Sequence, residues 1–340
     1  INNMSNCIPL DFLIEYNKKY PNIWIYTEKF QSEKDLWDDT ICYFPIGAAM
    51  GILQEFYNVP FFSLTKDAYI ISGLSGWRID KKVYQFDEEI CNLLFQQAEN
   101  PEDLMVTTDV FKLLPSKSVY IKYPSNIIND KNNYVDGFIA WIENDMNDHS
   151  YELRIVHMGI VDGIKTLISN EIIHLINGKT ISDGVNEAFE LVKRQNDFGN
   201  KIISDIQQDK SFIEDYKIRI SRDIQLILYL CASNADIEEN PDQNKIYKFN
   251  HGIIKDKYRE IKIYDVGYKL FNEEIDTLEE VEKEPKKHSK GTSKSPHIRK
   301  AHWHHYWVGK DNNKSKILKW LHPMFINLQK GKKVDKNKED

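Results

Sequence analysis

Between Tyr134 and Leu175 the chain carries three strand-like runs in succession, and no other stretch restricts the fold as strongly. Tyr134 to Glu143 and Tyr151 to Met158 are rich in β-branched and aromatic residues, which fit a pleated, half-buried surface. Between them lies the polar stretch Asn144-Asp145-Met146-Asn147-Asp148, whose side chains favour a turn, so the two runs predict an antiparallel hairpin. Thr166 to Leu175 adds a third strand before Asn177-Gly178, and Ser182 stands where it can cap a helix reaching Lys193. Strand, strand, strand, helix is not the alternating order of a doubly wound parallel sheet. It predicts the α+β class: helices with a central antiparallel hairpin or sheet.

The flanks supply the helices. Pro9 to Lys19 reads as an amphipathic helix with Leu10, Leu13 and Tyr16 on one side. Asp38 to Tyr57 reads as a second helical region, where Gly47, Ala48, Ala49 and Gly51 would permit close packing. Tyr69 to Gly76 reads as a strand ending at glycines, and Asp87 as the cap of a helix running to Gln97. Residues 200–235 suggest two helical segments. The second, Arg222 to Ala232, is apolar on nearly all sides and predicts a central core helix. Ile261 to Tyr264 is a short strand leading into Asp265-Val266-Gly267-Tyr268.

At 340 residues and 41% hydrophobic content the chain can bury a sizeable core. No apolar run approaches the roughly 20 residues that span a bilayer, so no membrane partner is expected. No basic segment precedes an apolar run near Ile1, so no secretory leader is expected either. Cys7, Cys42, Cys91 and Cys231 are far apart, and each has apolar neighbours. That pattern predicts buried free thiols in a reducing cytoplasm rather than a disulfide or zinc framework.

Charge divides the chain. Residues 286–340 hold 15 Lys and Arg against 4 Asp and Glu, or +11; the chain total of −7 leaves −18 for residues 1–285. Glu273 to Glu284 holds seven acids, and Pro285 to Pro296 is nearly free of apolar residues. The expected organisation is an acidic α+β body (1–278), a flexible charged loop (279–296), a basic His/Trp-rich β-containing module (297–330) and a disordered tail (331–340). Within the module, Ala301 to Val308 and Lys316 to Trp320 can pair as strands.

Six of the 10 histidines lie between His288 and His322, most of them in His297-Ile298-Arg299-Lys300-Ala301-His302-Trp303-His304-His305-Tyr306-Trp307. On an extended strand Lys300, His302, His304 and Tyr306 share one face, and Arg299, Trp303, His305 and Trp307 the other. Several readings stand side by side. His302 and His304 at i and i+2 suit a metal ion, but no acidic residue lies close in sequence to complete a site, so no metal or other cofactor is assigned. His-Trp-His also matches the two-histidine strand of replication-initiator nickases, whose tyrosine nucleophile sits on a separate helix, whereas Tyr306 shares this strand. Metal-free work on RNA is a third reading. His302 or His304 would then be general acid or base beside Tyr306, Arg299 and Lys300 a phosphate clamp, and Trp303 or Trp307 a stacking platform. His305, Lys316 and Lys319 extend that nucleic-acid surface. Binding of RNA or peptide without chemistry is a fourth reading. Packing of an aromatic-rich module, with histidines bonded to carbonyls, is a fifth.

The run His297 to Gly309, followed by Ile317-Leu318-Lys319-Trp320-Leu321-His322-Pro323-Met324-Phe325-Ile326-Asn327, resembles the C-terminal signature of a family of type V-A anti-CRISPR proteins. Leu226 to Cys231 with Ala235-Asp236-Ile237, and Tyr264 to Tyr268 with Asp265 and Gly267, are similar in the same order. The resemblance thus covers residues 220–328. The family pattern tends to two arginines where this chain has Arg299-Lys300, and lysine keeps the charge but loses the bidentate fork. The resemblance implies an inhibitor in the cytoplasm of a bacterial host, carried on phages or plasmids. It would recognise the nascent N-terminal part of a type V CRISPR nuclease, or a similar polypeptide, and lower its mRNA. The ribosome and the message are then possible partners. Direct RNA cleavage and recruitment of a host nuclease both stay open, as does oligomeric state.

Overall fold

The first helix begins where proline permits it. Pro9 occupies the first turn, where its missing N–H costs nothing, and Leu10, Phe12, Leu13 and Tyr16 of Ile8–Lys19 (α1) are buried. In the computed structural model the described residues are 7–32, 36–98, 108–124, 129–130, 133–176, 179–195, 210–246, 260–269, 297–299, 302–309, 315–321 and 324–326. They form two compact units: residues 1–231 with 237–266, and residues 232–236 with 267–340.

The first unit continues through Ile23–Ser32 (α2), Ile46–Tyr57 (α3), Phe61–Trp77 (α4), Lys82–Phe86 (β1), Glu88–Gln97 (α5), Thr108–Phe111 (α6) and Ser118–Lys122 (β2). Then come Asn129–Asp130 (β3), Asn133–Asn144 (β4), Tyr151–Val161 (β5), Ile164–His174 (β6), Ile181–Gln195 (α7), Lys210–Cys231 (α8), Ile237–Glu239 (β7), Lys245–Ile246 (β8) and Glu260–Val266 (β9). The sheet runs β6-β5-β4-β2-β1-β9-β7, with β3 paired to β4 and β8 to β9. It is mixed: β1 lies parallel to both β2 and β9, while the other pairs are antiparallel.

Both faces of the central strands are covered, so the unit has three layers. Ile139, Trp141, Val156 and Met158 point into one cluster with α1 to α4. The alternate residues Phe138, Ala140, Ile142, Leu153 and Ile155 are equally buried. On their side Phe86 packs its ring against Tyr229 of α8.

The predicted hairpin is β4 and β5, in register from Asn144↔Tyr151 to Tyr134↔Ile160 with one irregularity near Val135. The third strand is β6. Asp87 accepts from the Glu89 N–H at 2.9 Å and so caps α5 as expected. Ile224, Leu226, Ile227, Leu228 and Leu230 make α8 the expected core helix. All four cysteines are buried thiols. Burial pushes the Cys7 thiol up to about 12. Among the described residues no helix is long and apolar enough to cross a membrane.

Three expectations are corrected. Tyr69 to Gly76 is not a strand but the last half of α4. Its β-branched residues suggested extension, yet Ala68, Ile71, Leu74 and Trp77 recur at helical spacing and are buried. Gly73 does not end an element; a Cβ there would meet the Trp141 ring at 2.9 Å, so glycine lets the helix lie against β4. The helix expected from Asp38 starts only at Ile46. Pro45 disfavours helical backbone at Phe44, and Asp38 instead holds a turn through Thr40 N–H at 3.0 Å. Ser182 is not the cap of α7. Thr180 is: its Oγ1 accepts from Asp183 N–H at 3.2 Å, and Asp183 returns a carboxylate to Thr180 N–H at 2.9 Å. The segment expected at residues 200–209 and the charged loop 279–296 lie outside the described residues.

The second unit holds two small antiparallel sheets, His297–Arg299 (β10) with Met324–Ile326 (β13), and His302–Val308 (β11) with Ser315–Leu321 (β12).

Candidate functional site

Pairing of β11 with β12 decides which candidate side chains share a face. Leu318 and Trp320 are buried. They stand opposite His305 and Trp303; this face is covered at Leu318 and Trp320 of β12, while Trp303 is half-buried and His305 exposed. Register places Trp307 opposite Lys316 on the same side of the ribbon, and Trp307 is 69% exposed.

The other face brings together His302, His304, Tyr306 and Lys319. His304 pairs in register with Lys319. The His304 and Tyr306 rings lie 4.3 Å apart between centroids at 43°, and the Lys319 ammonium sits 5.5 Å from the Tyr306 ring centre. An exposed cation over an aromatic ring contributes about 0.5–1 kcal/mol, enough to favour this arrangement without burying it. His304 and Tyr306 are exposed, while His302 and Lys319 are half-buried. Chemically the face offers an imidazole, a phenol and an ammonium to one ligand. These groups suit phosphate neutralisation, proton exchange and base stacking. Lys319, grouped by sequence with the nucleic-acid contacts, thus joins the proposed acid–base residues.

His297 and Arg299 occupy β10 opposite Ile326 and Met324; Lys300 lies outside the described residues. Gly309 follows β11 with φ +110°, and Gly267 has φ +86°. Both occupy backbone that glycine adopts without strain. Asp265 accepts from Asn240 Nδ2 at 2.5 Å. Among the described residues no three His, Cys, Asp or Glu side chains are placed to share a metal ion.

Sequence reading missed what anchors the hairpin. The Asn234 side chain copies a peptide group: Nδ2 donates to the Trp320 carbonyl at 2.8 Å, and Oδ1 accepts from Trp320 N–H at 3.0 Å. Ser233 N–H donates to the Leu318 carbonyl at 2.9 Å. Next in sequence, Asp236 accepts from Gly267 N–H through its carbonyl at 2.9 Å and from Lys269 N–H through its carboxylate at 2.6 Å. Residues 232–236 therefore tie together two stretches that carry the sequence resemblance. The only signal was a short polar link, Ser233-Asn234, after an apolar helix.

A second polar cluster, in the first unit, was also missed. His157 on β5 is buried, with Nε2 3.0 Å from Asp223 on α8 and Nδ1 3.1 Å from Ser169 on β6. The tautomer with hydrogen on Nε2 satisfies both contacts. Tyr123 donates to the other Asp223 oxygen, and burial beside that carboxylate pushes its phenol well above the ordinary range. Arg219 pairs with Glu171 at 2.8 Å and donates to Ser169 at 3.2 Å. The set looks like an acid–base triad, but His157 is 3% exposed and its nitrogens are occupied. We read it as a bolt between α8 and the sheet.

Glu143 performs a further structural task. It accepts from Ile46 N–H, at the start of α3, at 2.7 Å and from Trp141 Nε1 at 3.0 Å. Burial pushes its carboxyl up to about 7 against the pull of Arg154.

The profile of the AcrVA2-like family, described as the anti-CRISPR type V subtype A2 family, matches residues 84–328. That span takes in the α8 stretch, the β9 stretch and the hairpin. Among solved structures, the crystal structure of AcrVA2 aligns with 95% of this chain and 100% of its own, at 19% identity and a TM-score of 0.56. That likeness speaks for the fold. No curated protein matches the chain. The family profile spans most of the sequence, and on that ground the chain belongs to the anti-CRISPR type V subtype A2 family.

Proposed function

We propose that this anti-CRISPR inhibitor recognises a nascent polypeptide, the N-terminal part of a type V CRISPR nuclease or a similar protein, and triggers down-regulation of the message being translated. Family membership supports a CRISPR-related target. The observation that carries the hairpin's part in this is the face on which exposed His304 and Tyr306 lie beside half-buried Lys319. It is charged and aromatic, as an RNA- or ribosome-facing surface requires. Trp307 adds an exposed ring at the same end of the strand. Arg299, Lys300 and Lys316 extend the cationic character in sequence. The test is transcript level of a reporter fused behind the N-terminal codons of a type V nuclease. The reading expects a fall that needs both translation and an intact hairpin face.

The same cluster favours one alternative, direct metal-independent RNA cleavage. His304 or His302 would move the proton, Tyr306 would assist, and Lys319 would hold the phosphate. Purified protein would then cut RNA in chelator, and His304→Ala would abolish cutting. Intact RNA together with transcript loss in cells would leave recruitment of a host nuclease. A non-catalytic adaptor predicts weaker binding in the same variants and no turnover to lose.

A further inference from the structure

Ser233 and Asn234 grip the β11–β12 hairpin at Leu318 and Trp320. The backbone groups they hold point away from β11. His305↔Leu318 and Trp303↔Trp320 are therefore the pairs without mutual hydrogen bonds, where facing side chains stand closest. Trp303 is half-buried opposite buried Trp320, so its ring belongs to the base of the hairpin.

Toward Gly309 the ribbon is exposed on both faces. Tyr306 and Val308, 37% and 39% exposed, share one face. Trp307, 69% exposed, stands on the other, opposite Lys316. Of the two tryptophans of β11, Trp307 is thus the one that presents its indole to solvent. Cations accompany these rings. Residues 302–321 hold four lysines and one aspartate, and each exposed ring has a lysine on the facing strand: Lys316 opposite Trp307, and Lys319 with its ammonium 5.5 Å from the Tyr306 ring centre. A protein-binding patch excludes lysine from its core, whereas aromatic rings interleaved with lysines suit a nucleic-acid strand.

The two faces also choose between forms of RNA. A duplex keeps its bases stacked on one another, and its A-form grooves offer base edges and 2′-hydroxyls rather than ring faces. A rigid duplex meets one face of a ribbon, not both. An unpaired strand can splay a base onto each ring while its phosphates pass the lysines.

We propose that this end of the β11–β12 hairpin binds single-stranded RNA across both faces, with one base stacked on Trp307, another on Tyr306, and a phosphate at Lys319. The inference deepens the RNA-facing reading of the hairpin and rests on it for biological purpose, but RNA binding is measurable without any effect on a transcript.

The test is fluorescence anisotropy of the full chain with an end-labelled, non-self-complementary RNA dodecamer, alone and annealed to its complement. The single strand should bind at least tenfold more tightly than the duplex at the same salt. Trp307→Leu keeps an apolar side chain without a ring, and should weaken the single strand about tenfold, within the range of one stacked base. Trp307→Phe should restore most of that loss, an outcome that a misfolded hairpin cannot imitate. Tyr306→Leu should cost a similar factor, because the strand uses both faces. Lys319→Gln should make the fall of log affinity with log salt shallower by about 0.7, the share of one phosphate contact, while Trp307→Leu should leave that slope unchanged. Equal or tighter binding of the duplex, no binding of the single strand, or full affinity in either leucine variant would overturn the inference. Cosedimentation with ribosomes without affinity for free RNA would overturn it as well. If the strand binds as expected but reporter transcript does not fall, the mRNA reading fails alone. If transcript falls while free RNA does not bind, the RNA assignment fails alone.

Discussion

Two hairpins of this chain use histidine in opposite ways. On β5 of the first unit, His157 is buried and both ring nitrogens are engaged, by Asp223 and by Ser169. On β11 of the second unit, His304 is exposed beside Tyr306 and Lys319. Both strands pair antiparallel. What separates them is burial. A buried imidazole must spend its hydrogen bonds on the fold, whereas an exposed one keeps its proton chemistry for a ligand. The cluster that looks most like a catalytic triad is therefore the structural one, and the looser group on the exposed hairpin is the functional candidate.

The largest effect should come from breaking the buried set. Asp223→Ala removes the acceptor of both His157 and Tyr123 and leaves two buried donors unsatisfied; it should cost about 2–6 kcal/mol, read as a lower urea midpoint at unchanged m-value. A loss under about 1 kcal/mol would mean that the bolt does not hold α8 to the sheet.

Glu143 sharpens the same contrast through pH. Its folded carboxyl is raised to about 7, above the unfolded value near 4.3. The folded state therefore keeps its proton while the unfolded state loses it. Stability falls as pH rises from about 4.3 to 7, by about 3 kcal/mol from this group. Glu143→Gln should flatten that part of the stability–pH curve; an unchanged slope would assign it to other groups.

Asn234→Ala deletes both bonds to Trp320 and leaves a buried edge unpaired. It should cost about 2 kcal/mol, read as faster amide exchange across β12. Unaltered exchange would show that strand pairing alone holds the hairpin. At the small end, His304→Ala and Tyr306→Ala should change stability by no more than about 0.5 kcal/mol, as exposed positions do. A large loss would make the exposed hairpin structural too, and would end the contrast.

Much of this contrast was legible in the sequence. Strand-like runs around a polar turn gave the β4–β5 hairpin, β6 and the pairing of β11 with β12, and alternation on an extended strand gave which of residues 302–307 share a face. Asp87 was readable because a cap acts within three residues. The sequence did not reveal α4 as a helix, because Ile70, Ile71 and the glycines after them carry strand-like propensity that tertiary packing on Trp141 overrides. Glu143 at the start of α3, Asn234 on β12 and Asp223 on His157 are likewise hidden: each acts across 66 to 97 residues of chain.

The most direct test is the nuclease-fused reporter, run with the wild-type chain, with His304→Ala/Tyr306→Ala, and with the reporter's start codon removed. The account predicts that transcript falls with the wild type only, while the double variant stays folded and leaves it intact. Transcript loss that persists in the double variant would contradict the role given to the exposed hairpin face. Transcript that never falls would contradict the nascent-chain reading itself.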